Sequence, residues 1–338
     1  MSATTTPVPA KEKVARRPLK FSRFLNILGP FIILIFVVGL FAVIMKADVR
    51  ENFFSVYNFK LIFTQTVIVA IGALGMTMII VSAGIDLSVG SVIALSSVLG
   101  AVLILKKIPM PLVVLSTIGV GGLVGLLNGA VIAGCRMTPF IVTLGMLGVG
   151  RGLSKWLADN QTVNFPSSPI ALIMRDPNPQ GWAPPPGVWI ALGLAIVMSM
   201  VMRRTVFGRH IFAIGSNEAT ARLCGIRTRM VKVMIYALSG LLFGLAGVMQ
   251  LSRLRQGDPS TAIGIELDII AAVVIGGASL NGGTGSILGS MIGAFTMAVL
   301  RSGSTQSDWP NYMQEIIIGI VIILAVGLDK LRQSKSSS

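Results

Sequence analysis

Charge is scarce in this chain. Of 338 residues only 12% are Asp, Glu, Lys or Arg, against about 25% in an ordinary globular protein. Cysteine is confined to Cys135 and Cys224, histidine to His210, and aromatic residues make up 7%. Two cysteines so far apart exclude a structural disulfide framework and read as inert small residues. With one histidine they do not build a conventional zinc or haem centre. No cofactor or metal is therefore expected. Few aromatic rings argue against a sugar or drug site made of stacked rings, so a polar cargo is held weakly. No lysine follows a glycine anywhere. The Gly-Lys-Ser/Thr end of a Walker A phosphate loop is thus missing, and any ATP-driven step belongs to another polypeptide. There is no HExxH motif, and a lone histidine gives no Ser-His-Asp set. The chain reads as a non-catalytic protein.

Apolar residues are abundant: 53% of the chain, with 38 glycines and a mean hydropathy of +0.82. Disorder, collagen, coiled coil and a small disulfide scaffold are excluded, and a soluble domain of this size needs far more polar surface. The expected class is an all-α polytopic membrane protein, with glycines where membrane helices pack closely. A spanning helix needs about 20 mostly apolar residues. Ten stretches qualify: 25–45, 61–82, 88–105, 111–134, 138–157, 188–202, 231–252, 265–280, 285–302 and 312–328. The sixth and eighth are short and read as tilted or broken. The first is retained as a helix, since it is longer than a signal-peptide core and no small-residue cleavage site closes it.

The net charge of +15 is a matter of distribution, not of nucleic-acid binding. With the N-terminus inside, the inner segments hold most of the basic residues: the 1–24 tail with Arg16 and Arg17, Arg136, the 203–230 segment with Arg203, Arg204, Arg209, Arg222, Arg227 and Arg229, Lys232, and the 331–338 tail. By the positive-inside rule both termini are cytoplasmic. Trp156, Trp182, Trp189 and Trp309 all fall at or beyond outer helix ends, where indoles favour the interface. The domain reading is a basic tail over 1–24, a permeating transmembrane domain over 25–330, and a tail over 331–338. An outer loop at 158–187 carries Pro166, Pro169, Pro177, Pro179 and Pro184 to Pro186, too many for a regular helix. In the inner segment 203–230, Asn217–Cys224 reads as a short helix, capped by Asn217 and stopped by Gly225.

Gly121, Gly125 and Gly129 recur at a spacing of four in the fourth stretch; Gly285, Gly289 and Gly293 do the same in the ninth. Each series makes a flat ridge that admits another backbone. The fourth of the first five matches the fourth of the second five, so the expected architecture is two inverted five-helix halves, a recurrent transporter plan. GIDLSVGS at 84–91 reads as a helix break whose next helix is capped by Asp86 or Ser88. VVIGGASLNGGTGS at 273–286 is a second, glycine-rich break. Asp86, Ser88, Asn128 and Asn281 are the candidate path residues. Asp86, Glu266, Asp268, Arg301 and Glu315 sit near helix ends and none at a midplane. That argues against a proton-coupled carrier or an ion channel.

GIDLSVGS at 84–91, NEATARLCGI at 217–226, YALSGLLFGLAGVM at 236–249, ELDIIAAVVIGGASLNGGTGSILG at 266–289 and IIIGIVIILAVGLD at 316–329 together resemble one family. It is the permease subunit of ribose/xylose/arabinose/galactose-type sugar ABC importers, and the likeness runs over residues 25–330. It implies a permease of the bacterial inner membrane that translocates a pentose or hexose delivered by a periplasmic sugar-binding protein. It also implies a second permease subunit, read as a homodimer, and a cytoplasmic tandem ATPase. A docking helix for that ATPase would be NEATARLCGI, with Asn217, Glu218, Ala219, Arg222 and Gly225 in the coupling role. The EAA signature of other importers is present only as Glu218-Ala219-Thr220. Another small polar solute (a polyol, a signalling furanose or a branched-chain amino acid) stays open, as does a carrier driven by an ion gradient.

Overall fold

Inside a bilayer no water is at hand for backbone N–H and C=O groups, so each crossing segment must satisfy its own. The chain does this with helices. The structure, a computed structural model, describes residues 20–175, 183–310 and 312–320, with positions 323 and 327. Residues 1–19, Pro177, Pro179, Trp182, much of the 316–329 motif and the 331–338 tail lie outside the described residues.

The helices are α1 (Lys20–Ile44), α2 (Ala47–Phe53), α3 (Val56–Val81), α4 (Val89–Leu105), α5 (Met110–Gly134), α6 (Pro139–Leu157), α7 (Pro186–Arg204), α8 (Val206–Ser216), α9 (Glu218–Leu223), α10 (Thr228–Leu254), α11 (Ile265–Ile275) and α12 (Ile287–Gln306). Residues 312–320 are also helical, as are positions 323 and 327. Among the described residues α3, α5, α7, α10 and α12 are long and apolar enough to cross a membrane. The chain is an all-α polytopic membrane protein. Among the described residues the sheet is a two-residue antiparallel pair, β1 (Val163–Asn164) with β2 (Gln256–Gly257).

Two helices organise the rest. α3 packs on α10, α12, α11 and α7, and α10 packs on α5, α3 and α4. α3 is buried along nearly its whole length. Where it crosses α10, Ser239 Oγ donates to the Gly75 carbonyl at 3.0 Å. The most extensive helix contact is α5 on α10. A Cβ on Gly121 would strike the Gly240 carbonyl and the Gly244 backbone, one on Gly125 the Tyr236 carbonyl, and one on Gly129 the Val233 Cα. In lipid there is little hydrophobic drive between helices, so such backbone-to-backbone packing carries the association. Buried hydroxyls avoid a desolvation cost by donating one turn back: Thr64 to Lys60 O (2.8 Å), Thr66 to Ile62 O (2.7 Å), Thr117 to Val113 O (2.7 Å).

Several segments differ from the sequence expectation. The eighth stretch, expected over 265–280, is helical only over Ile265–Ile275. Eleven residues rise about 16 Å, half of a hydrocarbon core of about 30 Å. Gly276 and Gly277, the latter at φ +86°, end it. The following loop accounts for its own amides: Ala278 N donates to Val273 O, Ser279 N to Thr284 O, Gly282 N to Ser279 O and Gly283 N to Val81 O. Gly285, expected in the ninth helix, lies in this loop, because α12 begins at Ile287 behind the Ser286 cap. The second ridge is therefore Gly289 against the Gly276 carbonyl and Gly293 against the Ala272 carbonyl. It faces α11, whereas the first ridge faces α10.

α2 and α8 were not expected. α2 buries Phe53 against Phe41, ring centroids 5.9 Å apart, and Ser55 then caps α3 by accepting from Asn58 N at 3.1 Å. α8 is capped by Thr205, which accepts from Gly208 N at 3.1 Å. Between the end of α6 and the start of α7 the described residues of the outer loop hold one 3-10 turn, Pro169–Leu172. It is pinned to α10 through Ser252, whose hydroxyl donates to Ile170 O (2.6 Å) and accepts from Met174 N (2.9 Å).

Candidate functional site

Three places on this scaffold bear polar chemistry. One is a cavity of about 540 Å³ between the first turns of α3, the end of α10, the start of α11 and the end of α12. Its size lies within the range of about 300–1,000 Å³ of small-molecule sites. Gln65, Gln250 and Arg253 face it beside the apolar Leu61, Ile68 and Met297, and no aromatic ring among the described residues lines it. Its polar wall is pre-arranged. Asn58 Oδ1 accepts from Gln306 Nε2 (2.8 Å) and Ser302 Oγ (3.2 Å), while Asn58 Nδ2 donates to Phe53 O (2.7 Å). Across from it Arg301 of α12 forms an ion pair with Asp268 of α11. Asp268 is 3% exposed. Gln250 donates to Thr261, and Arg151 of α6 donates to the Pro259 and Thr261 carbonyls (2.6 and 2.7 Å), which ties down the β2–α11 connection.

The ion pair joins the half-helix α11 to α12. Arg301→Gln leaves the buried Asp268 carboxyl without its cation. It is expected to lower stability by up to about 3 kcal/mol, read as a drop in the detergent-solubilised melting temperature. Asp268→Asn/Arg301→Gln, which removes both charges, is expected to recover most of that loss. A double variant no more stable than Arg301→Gln would show that the pair is not the cause.

The second place is the break between α3 and α4. Asp86 is 1% exposed, and its Oδ1 accepts from Ser88 N (2.8 Å) and Ser88 Oγ (2.6 Å). Ser88 occupies the N-cap position of α4, but its hydroxyl turns to Asp86 rather than to the helix amides. Asn128 Nδ2 of α5 donates to Ser88 Oγ at 3.1 Å. Asn128 Oδ1 and the Tyr236 hydroxyl are buried with no partner among the described residues. That hydroxyl lies against Gly84, where a Cβ would come within 2.7 Å of it. From α6, Thr143 Oγ1 accepts from Leu87 N at 3.2 Å. Asp86, Ser88 and Asn128 thus form one cluster; Tyr236 and Thr143, not anticipated from the sequence, complete it. Asn281 is not part of it, because it sits exposed on the 276–286 loop. The two breaks do touch, at Ala83 beside Gly282. None of Asp86, Ser88, Asn128 and Asn281 lines the large cavity.

The third place is α9. Asn217 caps it, with Thr220 N donating to Asn217 Oδ1 at 2.9 Å. Gly225, at φ +84°, ends it, with Gly225 N on Arg222 O and Ile226 N on Ala221 O. Lys232 Nζ of α10 holds Glu218 at 2.7 Å, and Arg222 reaches the same carboxylate at 3.4 Å. Burial alone would raise the Glu218 pKa, but the bond and charge of Lys232, helped by Arg222, hold it below the usual carboxylate range. The pairing is therefore complete at neutral pH and is lost only as pH falls through that lowered value. Ala221 is buried while Leu223, 89% exposed, stands out at the tip. Cys135 and Cys224 are free and exposed, on the surface rather than in helix packing.

A helical membrane body with a polar cavity, two broken segments and a short capped helix outside its spans has the make-up of a membrane permease. Residues 58–326 match the family model described as branched-chain amino acid transport system / permease component, and the chain belongs to that family. The chain is 36% identical to the ribose import permease protein of Escherichia coli strain K12 over 295 residues, 85% of this chain and 90% of that one. It is 35% identical to the L-arabinose ABC transporter permease protein of Azospirillum brasilense, covering 78% of each chain. It is 34% identical to the fructose import permease protein of Rhizobium meliloti, covering 89% of this chain and 84% of that one. No solved structure matches the chain significantly.

Proposed function

We propose that this chain is the membrane-spanning permease subunit of an ATP-binding-cassette importer for a monosaccharide, a pentose or hexose. It works in the bacterial inner membrane with both termini in the cytoplasm. Its partners are a second copy of the permease, a cytoplasmic tandem ATPase and a periplasmic sugar-binding protein. The observation that carries this reading is the identity of 34–36% with import permeases named for three sugars, each over most of this chain.

In this reading the chain crosses the membrane ten times, with α11 and the 276–286 loop together making the eighth passage. Reciprocal packing supports two inverted halves. Exchanging α3 with α10, α4 with α11 and α5 with α12 turns the contacts α5–α10, α4–α10 and α4–α5 into α12–α3, α11–α3 and α11–α12, all of which occur. The large cavity then opens to the outer side and receives sugar released by the binding protein. Asp86, Ser88 and Asn128 line the inner part of the route, and Asn281 lies at its cytoplasmic rim. Asn217, Glu218, Ala219, Arg222 and Gly225 form the helix that the ATPase grips; closing of the ATPase pair moves α9, and through Lys232 it moves α10. Discrimination between sugars rests with the binding protein, so the cavity needs only loose polar contacts.

The family's description favours one second reading, a branched-chain amino acid as cargo. Cells with and without the gene, supplied separately with labelled ribose, arabinose, fructose and leucine, decide between them. Uptake of at least one of the sugars is expected to depend on the gene. Gene-dependent entry of leucine alone would overturn the sugar reading.

A further inference from the structure

Beside α9 the end of α5 and the start of α10 enclose a second cavity, of about 170 Å³. Four cationic side chains line it, Arg136, Arg222, Arg229 and Lys232, against one carboxylate, Glu218. Glu218 is taken up by Lys232 and Arg222. Arg136 and Arg229 form no ion pair among the described residues. Clustered cations without a counter-charge repel one another, and the planar guanidinium fork of arginine suits bidentate recognition of a phosphate.

The surroundings say which phosphate. On α5, Gly122, Leu126, Ala130 and Ala133 recur every three or four residues and so share one face, and Met137 follows just beyond the end of the helix. That face borders α10, since a Cβ on Gly122 would meet Leu241 and one on Gly129 would meet Val233. Ala133 and Met137 line the cationic cavity. Leu126, Met137 and Leu241 are exposed large apolar side chains along the strip. An anion-sized pocket therefore runs into an apolar strip on two membrane helices; Arg136, Arg229 and Lys232 sit at the ends of those helices, and Arg222 reaches the pocket from α9. We propose that Arg136 and Arg229, with Arg222 and Lys232, bind the phosphate of an anionic phospholipid in the cytoplasmic leaflet, with an acyl chain lying along the α5–α10 strip. Anionic lipids concentrate in that leaflet, and basic pockets between membrane helices suit their headgroups. The leaflet assignment rests on the orientation proposed above. A lipid here would touch both α10 and the α9 coupling helix, so it would link bilayer composition to transport.

The test is native mass spectrometry of the full-length permease purified in mild detergent and mixed with phosphatidylglycerol or phosphatidylcholine of the same chains. Phosphatidylglycerol is expected to be retained about tenfold better or more. Arg136→Gln/Arg229→Gln is expected to erase the preference, Arg136→Lys/Arg229→Lys to keep part of it, and the control Arg203→Gln/Arg204→Gln to leave it intact. Equal retention of the two lipids would overturn the proposal, as would a preference unchanged in the Arg136/Arg229 glutamine pair. Displacement of the lipid by millimolar inorganic phosphate would overturn it in favour of a free anion. Loss of a co-purifying ATPase with lipid retention unchanged would assign the cations to a protein partner instead. Sidedness is read separately on the native Cys135 and Cys224, which a membrane-impermeant maleimide is expected to label only after permeabilisation. Labelling in intact cells would overturn the orientation, whatever the lipid result.

Discussion

Gly125→Leu is expected to abolish the folded permease. The new Cβ meets the Gly240 Cα at 2.9 Å and the Tyr236 carbonyl carbon at 3.0 Å. Both obstacles are backbone, so no rotamer change relieves them, and α5 must move away from α10. Overpacking of this kind costs about 1–3 kcal/mol where side chains can yield, and here it stands at the upper end or beyond. The damage spreads, because Gly121, Gly240 and Gly244 interlock at the same crossing. Gly119→Leu is the matched control: it lies on the same helix with nothing within 4 Å of its would-be Cβ. Gel filtration in detergent is expected to give a monodisperse peak for Gly119→Leu and aggregate for Gly125→Leu. A monodisperse Gly125→Leu protein with an unchanged melting temperature would contradict this packing.

Glu218→Lys is expected to cut uptake by about tenfold to a hundredfold while the permease remains folded in the membrane. Glu218 is the one carboxylate between Lys232 and Arg222. A lysine there sets three cations together, frees α9 from α10 and removes the charge pattern offered to a partner. The cost falls on coupling rather than on folding, because α9 is short, peripheral and packed mainly on α8. Expression and gel-filtration behaviour are expected to match the parent while the partner ATPase is lost. Normal uptake by this variant would reject α9 as the coupling helix.

Most of the helices were legible because hydropathy is a local property. A helix stands in each of the first nine apolar stretches and over 312–320 of the tenth, and the α9 cap and stop were readable from Asn217 and Gly225 alone. Length was the weak point. The run 265–280 is mostly apolar beyond Glu266 and Asp268, yet its glycines end α11 at Ile275, since Gly276 gives way to a positive-φ Gly277. α2 and α8 escaped notice because they are not continuous apolar runs. Each is identified by contacts remote in sequence: Phe53 with Phe41, and Gly215 of α8 against Val81 and Gly283. The glycine series were visible, but their partners were not, and the two ridges turned out to face non-equivalent helices.

The site was less legible than the fold for the same reason. Asp86, Ser88 and Asn128 were found as polar residues in apolar sequence, and the fold does gather them. The large cavity was missed, because Asn58, Gln250, Asp268 and Arg301 are ordinary residues near helix ends until four helices bring them together. Asp268 and Arg301 were each noticed; that they pair could be inferred only from opposite charge on neighbouring spans.

The central claim is that this permease is driven by a separate ATPase, and the direct measurement is the energy source of uptake. Tagged protein is purified from its native host in mild detergent, assayed for a co-eluting ATPase, and the cells are tested for uptake under selective de-energisation. A co-eluting ATPase is expected, lost with Glu218→Lys, together with uptake that stops on ATP depletion but survives collapse of the proton and sodium gradients while ATP is maintained. Transport with no ATPase present, stopping when the gradients are removed, would contradict it and make the chain a secondary carrier.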